Sequence, residues 1–326
     1  MLLALTKDDS VLRLESKHLT ISFSGDEQLQ TIPLPLIDRV VLTDTPRISG
    51  AVIQELLIRK IPVTFVSGKG EFLGQLHFTP GGECQRRRQQ HQMSVSEKNN
   101  LQASCCLLEA KLYNQKRLLQ RLSANRKLPC RECREISKLY KMLKFQTTVE
   151  LLKGIEGLAA RYYFGALKNF MPEWCGFSGR NRHPALDPVN ALLSYSYAVM
   201  TGEFENLIRL HGLDPGIGFL HCDQYNTPTL AFDLMEPFRP VFCDLLVLDL
   251  LNHRRLREEH FDRSADFCRL TPAGRKIFFA AWENKRERKF KYAEKTVIWQ
   301  DIWNNQVMQW INCLKTEELP TFFRMP

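Results

Sequence analysis

The sequence predicts an α+β protein, in which a small, β-sandwich-like N-terminal β domain is followed by a larger all-α C-terminal domain. The segment HLTISFSG, residues 18–25, alternates apolar and polar side chains with a period of two, which is typical of a strand with one buried face. Two further β-rich runs, RVVLTD and IPVTFVSGKG, end in turn residues, and the helical pattern SGAVIQELLIRK lies between them. Beyond residue 99 helical spacing dominates to the end of the chain.

The boundary between the two predicted domains lies in the segment TPGGECQRRRQQHQ. Its proline, its two consecutive glycines and the arginine run that follows interrupt the strand pattern. We therefore expect the N-terminal β domain at residues 1–84, a linker at residues 85–98 and the helical domain at residues 99–326. Ser94 and Glu97 have the spacing of a capping box, which predicts the start of a helix there.

The composition is typical of a soluble globular protein, with 44% hydrophobic and 25% charged residues. The sequence has no run of 18 apolar residues, which argues against a transmembrane helix. The N-terminal segment also lacks the basic start and the small-residue cleavage site of an export signal. We therefore expect a cytoplasmic protein whose ten scattered cysteines are free thiols in a reducing compartment.

Positive charge is concentrated after the predicted β domain. Residues 1–84 contain 8 Lys and Arg against 10 Asp and Glu, a net charge of −2, whereas the whole chain carries +9, so the remaining residues carry +11. Such an asymmetry favours a polyanion, such as nucleic acid, as the partner of the helical domain. Solvated helix faces produce similar charge runs, so charge alone leaves the partner open.

A carboxylate lies in the apolar stripe of a predicted helix, LLKGIEGLAARYYF at residues 151–164. Glu156 is flanked there by Gly154 and Gly157, and each glycine costs a helix about 1 kcal/mol relative to alanine. Burial of an unpaired carboxylate would cost several kcal/mol. The pattern therefore indicates either an acid at the edge of the stripe that reaches water or an arginine, or a buried acid with a partner.

A histidine and two more acids occur in the segment after residue 214. His221 ends the apolar run GIGFLH, and Asp233 and Glu236 are three residues apart, a spacing that places both on one side of a helix. With Glu156 they form an oxygen-rich set with one imidazole, which suits Mg²⁺ or Mn²⁺. On a basic protein such an ion would serve phosphoryl chemistry on nucleic acid. A core histidine and surface acids would give the same spacing, so both interpretations remain open.

Cys130 and Cys133 form a single CxxC motif. A structural zinc ion needs four ligands, and Cys105, Cys106 and His91 in neighbouring segments would have to supply the remainder. Packed free thiols are the simpler interpretation. A zinc-containing nucleic-acid-binding protein nevertheless remains an alternative.

Taken together, these segments resemble the CRISPR-associated Cas-one proteins, the integrase subunit of CRISPR spacer acquisition. The resemblance covers most of residues 148–283 and rests, in chain order, on LLKGIEGLAARYYF, FSGRNRHPALDPVNALLSYSYAVM, GLDPGIGFLHCDQYNTPTLAFDLMEPFRPVFCD and LTPAGRKIFFAAWE. It implies a metal-dependent DNA endonuclease and integrase that acts on phosphodiester bonds in antiviral defence. In the implied reaction, the 3′-hydroxyl of a captured DNA fragment attacks a phosphodiester at the border of a CRISPR repeat.

The resemblance also implies which residues form the site. Glu156, His221 and Glu236 would be the catalytic residues and the ligands of Mg²⁺ or Mn²⁺, and Asp233 would be an accessory acid nearby. The implied partners are double-stranded and partly single-stranded DNA, a second copy of the chain in a homodimer, and the small Cas-two protein in a larger complex.

Three arginines are the strongest candidates for contacts with DNA phosphates. Arg180 and Arg182 lie in the basic turn of the second matching segment, and Arg161 follows Gly157 by about one helical turn. Such contacts supply affinity that falls steeply with salt. A catalytically inactive DNA-binding scaffold of the same fold remains the other alternative.

Overall fold

The computed structural model describes the chain in eight ranges: residues 1–6, 10–23, 26–43, 46–76, 84–181, 184–222, 227–316 and 318–326. Within them an N-terminal region of two β-sheets precedes a region made mostly of helices, so the predicted α+β class is confirmed. In the part of the chain that is described, no helix combines the length and the apolar character needed to cross a membrane. Arg182, one of the three predicted DNA contacts, lies outside the described ranges.

The N-terminal region contains eight described strands and one α-helix. They are β1 (Leu2–Leu5), β2 (Ser10–Glu15), β3 (His18–Phe23), β4 (Asp26–Pro33), β5 (Arg39–Thr43), β6 (Arg47–Ile48), α1 (Gly50–Ile58), β7 (Val63–Val66) and β8 (Phe72–Leu76). One sheet has the order β1-β5-β7-β8, with β5 parallel to both β1 and β7 and with β8 antiparallel to β7. The other has the order β4-β3-β2-β6, antiparallel except for the β2–β6 pair.

The two sheets and α1 share one hydrophobic core. Leu42 comes from the first sheet, Leu12 and Ile21 from the second, and Leu56 from α1, and all four are at most 2% exposed. The predicted strand in HLTISFSG is confirmed as β3, but Thr20 on its polar face is also buried. The period-two pattern therefore identifies the strand, but it does not show that the polar face of the strand is buried as well.

The C-terminal region is helical apart from two short antiparallel hairpins, which the all-α prediction missed. Its helices are α2 (Cys84–Ser94), α3 (Glu97–Arg126), α4 (Glu132–Met142), α5 (Val149–Leu167), α6 (Pro188–Leu210), α7 (Thr229–Met235), α8 (Leu245–Asn252), α9 (Pro272–Glu287) and α10 (Trp299–Thr316). The hairpin strands are β9 (Phe261–Arg263), β10 (Cys268–Leu270), β11 (Phe290–Tyr292) and β12 (Lys295–Val297). A π-helical segment, Arg239–Asp244, joins the end of α7 to α8.

Two helix starts test the capping predictions. The Asp187 carboxylate accepts the Asn190 N–H at 2.9 Å and Pro188 is the first residue of α6, as the sequence predicts. The capping box of Ser94 with Glu97 is wrong, because Ser94 still belongs to α2 and its hydroxyl donates to a backbone carbonyl. Ser96 caps α3 instead, accepting the Asn99 N–H at 3.3 Å.

The first sheet packs directly on α6. Gln75 donates to the Gly202 carbonyl at 2.5 Å and to the Thr64 hydroxyl at 2.8 Å, and the Thr43 and Tyr195 hydroxyls lie 3.0 Å apart. A Cβ atom at Gly202 would lie 2.7 Å from the Thr64 side chain. A glycine at this position therefore permits the close approach of sheet and helix.

Candidate functional site

Three of the predicted site residues converge although they come from different elements. Glu156 lies in the middle of α5, His221 lies in the segment before α7, and Glu236 directly follows α7. One potential ligand atom from each lies within 4.8 Å of the other two. Two carboxylates and one imidazole at this separation can hold a single divalent ion.

Glu156 is partly exposed and lies at the edge of the buried face of α5. Its side chain is 17% exposed, and the apolar stripe beside it is formed by Leu152, Ile155 and Ala159. Of the two flanking glycines, Gly157 lines the cavity next to the carboxylate. Apart from its chain neighbours and the backbone of its own helix, no described atom lies within 4 Å of the position that a Cβ at Gly157 would take, so the surface there is open.

Glu236 is fully buried and carries a negative charge. Arg239 Nη1 lies 2.7 Å from one of its carboxylate oxygens, and Lys111 Nζ lies 2.7 Å from the other. Burial alone would raise the pKa of Glu236, but Arg239, Lys111 and His221 outweigh it and lower the pKa to about 2. Each oxygen has one cationic neighbour, and its remaining lone pair can still face a metal ion.

Lys111 of α3 is the cation nearest to both acids. Its ammonium lies 2.5 Å from Glu156 Oε1 and 2.7 Å from Glu236 Oε2, and its side chain is 8% exposed. Burial would lower the pKa of Lys111, but Glu156 and Glu236 raise it above its ordinary value, so the amine stays charged. The sequence analysis missed this residue. A lysine on the same face as the buried Leu107 and Leu118 is the signal that could have found it.

Asp233 holds the ring of His221. Its Oδ1 lies 2.6 Å from His221 Nδ1, and its Oδ2 accepts the backbone N–H groups of Phe219 at 2.7 Å and Leu220 at 3.0 Å. A carboxylate is an acceptor, so this contact assigns the ring proton to Nδ1 and leaves the Nε2 lone pair for a metal. Burial lowers the pKa of His221, but the hydrogen bond and charge of Asp233, with Glu236 and Glu156, raise it overall.

A cavity of about 230 Å³ is lined by Glu156 and His221, and by Lys111 and Arg239, which contact the buried Glu236. It adjoins a cleft of about 990 Å³ that lies between the β7–β8 turn, α6 and β10. Three residues line both spaces: Arg180, Tyr197 and Arg239. Arg269 and Lys69 also line the cleft, so cations occur on several of its walls.

A buried aspartate with two tyrosines forms the floor of the cavity. The Tyr163 hydroxyl donates to Asp244 at 2.6 Å, and the Tyr197 hydroxyl donates to its other oxygen at 2.7 Å. Arg239 lies over the Tyr197 ring, 4.8 Å from the ring centroid. Burial raises the pKa of Asp244 to about 6, although the two hydroxyls lower it. This network therefore supports the arginine that contacts Glu236, and the sequence analysis did not identify it.

The predicted DNA-contacting arginines differ in their surroundings. Arg180 lines the cavity, and its guanidinium donates to Asn190 at 2.9 Å and to Ser194 at 3.0 Å. These contacts hold Arg180, which precedes α6, against that helix. Arg161 is exposed on α5 and is not among the described residues that line the cavity.

Cys130 and Cys133 form a disulfide bond. The expectation that every cysteine is a free thiol is therefore wrong for this pair, while the other eight cysteines form no disulfide bond. Sulfur atoms joined in a disulfide supply no thiolate for a metal. With this disulfide formed, the described residues offer no zinc site at the CxxC motif.

The donor set of the acid–histidine cluster fits a hard divalent ion. Carboxylate oxygens and an imidazole nitrogen suit Mg²⁺ or Mn²⁺, and no cysteine belongs to the metal-ligand groups found among the described residues. The buried Glu236 carboxylate keeps lone pairs for a metal ion beside its contacts with Lys111 and Arg239.

Two relatives from bacteria share much of this chain. It is 35% identical over 269 residues to a CRISPR-associated exonuclease Cas4/endonuclease Cas1 fusion of Geobacter sulfurreducens, covering 78% of this chain but only 48% of that protein. It is 31% identical over 287 residues to a CRISPR-associated endonuclease Cas1 of Thermus thermophilus, covering 88% of this chain and 85% of that protein. This chain thus spans about half of the fusion protein and most of the other.

Two solved structures have the same fold. A casposase bound to integration product matches all of this chain and 93% of its own, with a TM-score of 0.90 and 24% identity. A chain of a Cas6-RT-Cas1–Cas2 complex matches 98% of this chain and 35% of its own, with a TM-score of 0.84 and 24% identity. The family model of the CRISPR associated protein Cas1 matches residues 3–284, which is most of the chain. The resemblance noted in the sequence is thereby confirmed, and the chain belongs to the Cas1 family.

Proposed function

We propose that this protein is a metal-dependent DNA endonuclease and integrase, which joins DNA fragments to a CRISPR repeat during spacer acquisition. The convergence of Glu156, His221 and Glu236 within 4.8 Å, beside a cleft with cationic walls, is the observation that supports this function most directly. The names of the relatives agree with it: two are endonucleases, and one structural neighbour is bound to an integration product.

Glu156, His221 and Glu236 would hold Mg²⁺ or Mn²⁺. When bound, the ion neutralises the charge that develops on the reacting phosphate and orients the attacking and leaving oxygens. Asp233 keeps the Nδ1 proton of His221 in place, so the other ring nitrogen is directed to the ligand position. Arg239 compensates the Glu236 charge and borders the cavity in which the phosphate would lie.

The joining reaction needs no external energy source. The 3′-hydroxyl of the fragment forms one phosphodiester while the attacked phosphodiester breaks, so the number of such bonds is unchanged. The protein's contribution is to position the two DNA strands and to stabilise charge. Arg180, held by Asn190 and Ser194, is placed to bind a phosphate at the junction of the cavity and the cleft.

The proposed partners are those that the family resemblance implies. DNA with single-stranded ends suits the cleft, since unpaired strands can reach a recessed site. A homodimer and a small Cas-two partner complete the proposed assembly. A Cas1–Cas2 complex among the structural neighbours supports the Cas-two partner. We also propose the domain arrangement inferred from the sequence, in which residues 99–326 carry out catalysis.

The substitution Glu156→Gln tests this function. Joining of a labelled duplex with 3′-hydroxyl ends to a plasmid that carries a repeat should be lost, with the Cas-two partner and Mn²⁺ present. DNA binding, measured by fluorescence anisotropy, should be retained. Glu150→Gln, which changes an exposed acid on the same helix, is the matched control and should join DNA at the normal rate. Normal joining by the Glu156→Gln protein would refute the site, and no joining by the unmodified protein would favour an inactive scaffold.

A further inference from the structure

We propose that Lys111 is an internal counter-ion of the candidate metal centre, which competes with the divalent ion for Glu156 and Glu236 and makes tight metal binding conditional on DNA. The inference rests on the proposed function of this site. It adds that bound DNA determines when the site binds its metal ion tightly. Its basis is the position of one ammonium group on both acids, at 2.5 Å from Glu156 and 2.7 Å from Glu236.

Lys111 is held in this position by its own helix. Asn114, one turn further along α3, is fully buried, and its amide nitrogen donates to the carbonyl of Pro237 at 2.7 Å. Pro237 directly follows Glu236 in the chain. The Asn114 oxygen also accepts the N–H of Met325 at 2.7 Å, which ties the same turn to the C-terminal segment. The ammonium is therefore placed opposite Glu236 by the fold and not by chance rotation of an exposed side chain.

The charges around the two acids already balance. Glu156 and Glu236 are compensated by Lys111 and Arg239, and His221 has its own partner in Asp233. With His221 as a neutral ligand, Glu156, Glu236 and Asp233 supply three negative charges against two positive ones. A divalent ion then leaves an excess of one positive charge in a poorly solvated place, where like charges repel strongly. Each DNA phosphodiester carries one negative charge. One DNA phosphate beside the metal ion would restore the balance.

A second acceptor for the Lys111 ammonium group lies nearby. Gln115 lies four residues after Lys111 on the same face of α3, and it lines the same cavity. Its side-chain oxygen is buried and has no hydrogen-bond partner among the described residues. When a metal ion takes the two carboxylates, this oxygen and a DNA phosphate can accept the displaced ammonium.

Manganese titration of Lys111→Met tests the inference without any measurement of activity. The methionine keeps the length of the side chain and removes its charge. Free Mn²⁺ is followed by electron paramagnetic resonance with and without a duplex that has single-stranded 3′ ends, with the DNA alone as a blank. Lys98→Met, an exposed lysine on the same helix, is the matched control with the same change in net charge.

Without DNA, the Lys111→Met protein should bind Mn²⁺ about 10- to 100-fold more tightly than the unmodified protein, the range over which groups next to ligands change metal affinity. DNA should tighten Mn²⁺ binding by the unmodified protein and by Lys98→Met, and should do so much less for Lys111→Met. Equal or weaker Mn²⁺ binding by Lys111→Met overturns the inference. The inference is also overturned if DNA tightens Mn²⁺ binding by the same factor in all three proteins.

Thermal unfolding covers the case in which the variant is unstable, because removal of Lys111 leaves two adjacent carboxylates without their shared cation. Mn²⁺ should then raise the melting temperature of Lys111→Met by more than it raises that of the unmodified protein, and an equal or smaller rise contradicts the inference. Glu156→Gln distinguishes failure of the proposed metal site from failure of the proposed role of Lys111. If Mn²⁺ binding is unaffected by Glu156→Gln, the metal site itself fails. If that binding is lost while Lys111→Met changes nothing, only the role of Lys111 fails.

Discussion

Asp233 Oδ1 and His221 Nδ1 lie 2.6 Å apart, and the same carboxylate accepts three backbone N–H groups from residues 219–221. One buried aspartate thus fixes both the ring of His221 and the backbone that carries it. Gly218 makes this possible, because a Cβ atom there would lie 2.7 Å from Asp233 Oδ2. The accessory acid therefore acts through the histidine and through the segment before α7.

Asp233→Asn should weaken Mn²⁺ binding by about 10- to 100-fold, because an amide holds the Nδ1 proton less firmly and makes the ring a poorer donor to the metal. The melting temperature should also fall, since a neutral amide oxygen accepts the backbone N–H groups more weakly than a carboxylate does. Mn²⁺ titration and thermal unfolding measure the two effects. Mn²⁺ affinity equal to that of the unmodified protein would show that Asp233 is only structural.

Gly157→Ala separates stability from access to the site. An alanine in this exposed helical position should stabilise the fold by about 0.5–1 kcal/mol. It should nevertheless reduce DNA joining, because its methyl group narrows the open surface beside Glu156. Gly165→Ala is the control: it lies on the same helix, is equally open, and does not line the cavity. Normal joining by both variants would mean that the glycine gives no clearance to DNA.

Gly202→Ala should have the opposite effect on stability. Its Cβ atom would lie 2.7 Å from the Thr64 side chain, at the contact between the first sheet and α6. Overpacking of this kind costs about 1–3 kcal/mol. Chemical denaturation should show the loss, and Thr64→Ser in the Gly202→Ala background, which removes the clashing methyl group, should recover part of it. A Gly202→Ala protein as stable as the original would show that the sheet can shift at no cost.

The family resemblance implies the three potential ligands, while their local patterns alone leave the assignment open. A carboxylate between two glycines, a histidine after an apolar run and two acids at helical spacing are visible without a fold. The position of Lys111 among buried leucines is a weaker signal, because it does not show that the lysine meets Glu156, 45 positions further along the chain. Only the crossing of α3 and α5 gives it a role.

The length of an element decides how well its pattern can be recognised. β3 has six residues, enough for a period of two, whereas each strand of the two C-terminal hairpins has three. Three residues cannot establish a period, so the all-α prediction for this region was wrong there. Ser94 and Ser96 illustrate a limit of the same kind, because both precede the acid Glu97 and only the actual end of α2 decides which one caps α3.

Arg180→Gln should weaken DNA binding at every sequence tested. A phosphate contact supplies affinity without base specificity, and its loss should also reduce the slope of log affinity against log salt by about 1. Arg47→Gln, which removes an exposed arginine from the N-terminal region, is the matched control and should leave the slope unchanged. Fluorescence anisotropy over a range of salt concentrations measures both. An unchanged slope for Arg180→Gln would remove Arg180 from the proposed DNA path.

Asp244 should make stability depend on pH. Burial raises its pKa from 3.8 to about 6 in the folded protein, so folding favours the protonated form of this group. Its contribution to stability is then fully present below pH 3.8 and is lost as the pH rises through about 6. At about 1.4 kcal/mol per pKa unit, the loss amounts to about 3 kcal/mol.

Asp244→Asn isolates this contribution, because the amide does not titrate. The unfolding free energy of the unmodified protein minus that of Asp244→Asn should therefore fall by about 3 kcal/mol between acidic and neutral pH. Denaturant unfolding at several pH values measures this difference directly. Tyr163→Phe should move the midpoint of the pH dependence upward, since it removes a hydrogen bond that favours the charged carboxylate. A difference that stays constant with pH would mean that Asp244 is as easily ionised in the folded protein as in the unfolded chain.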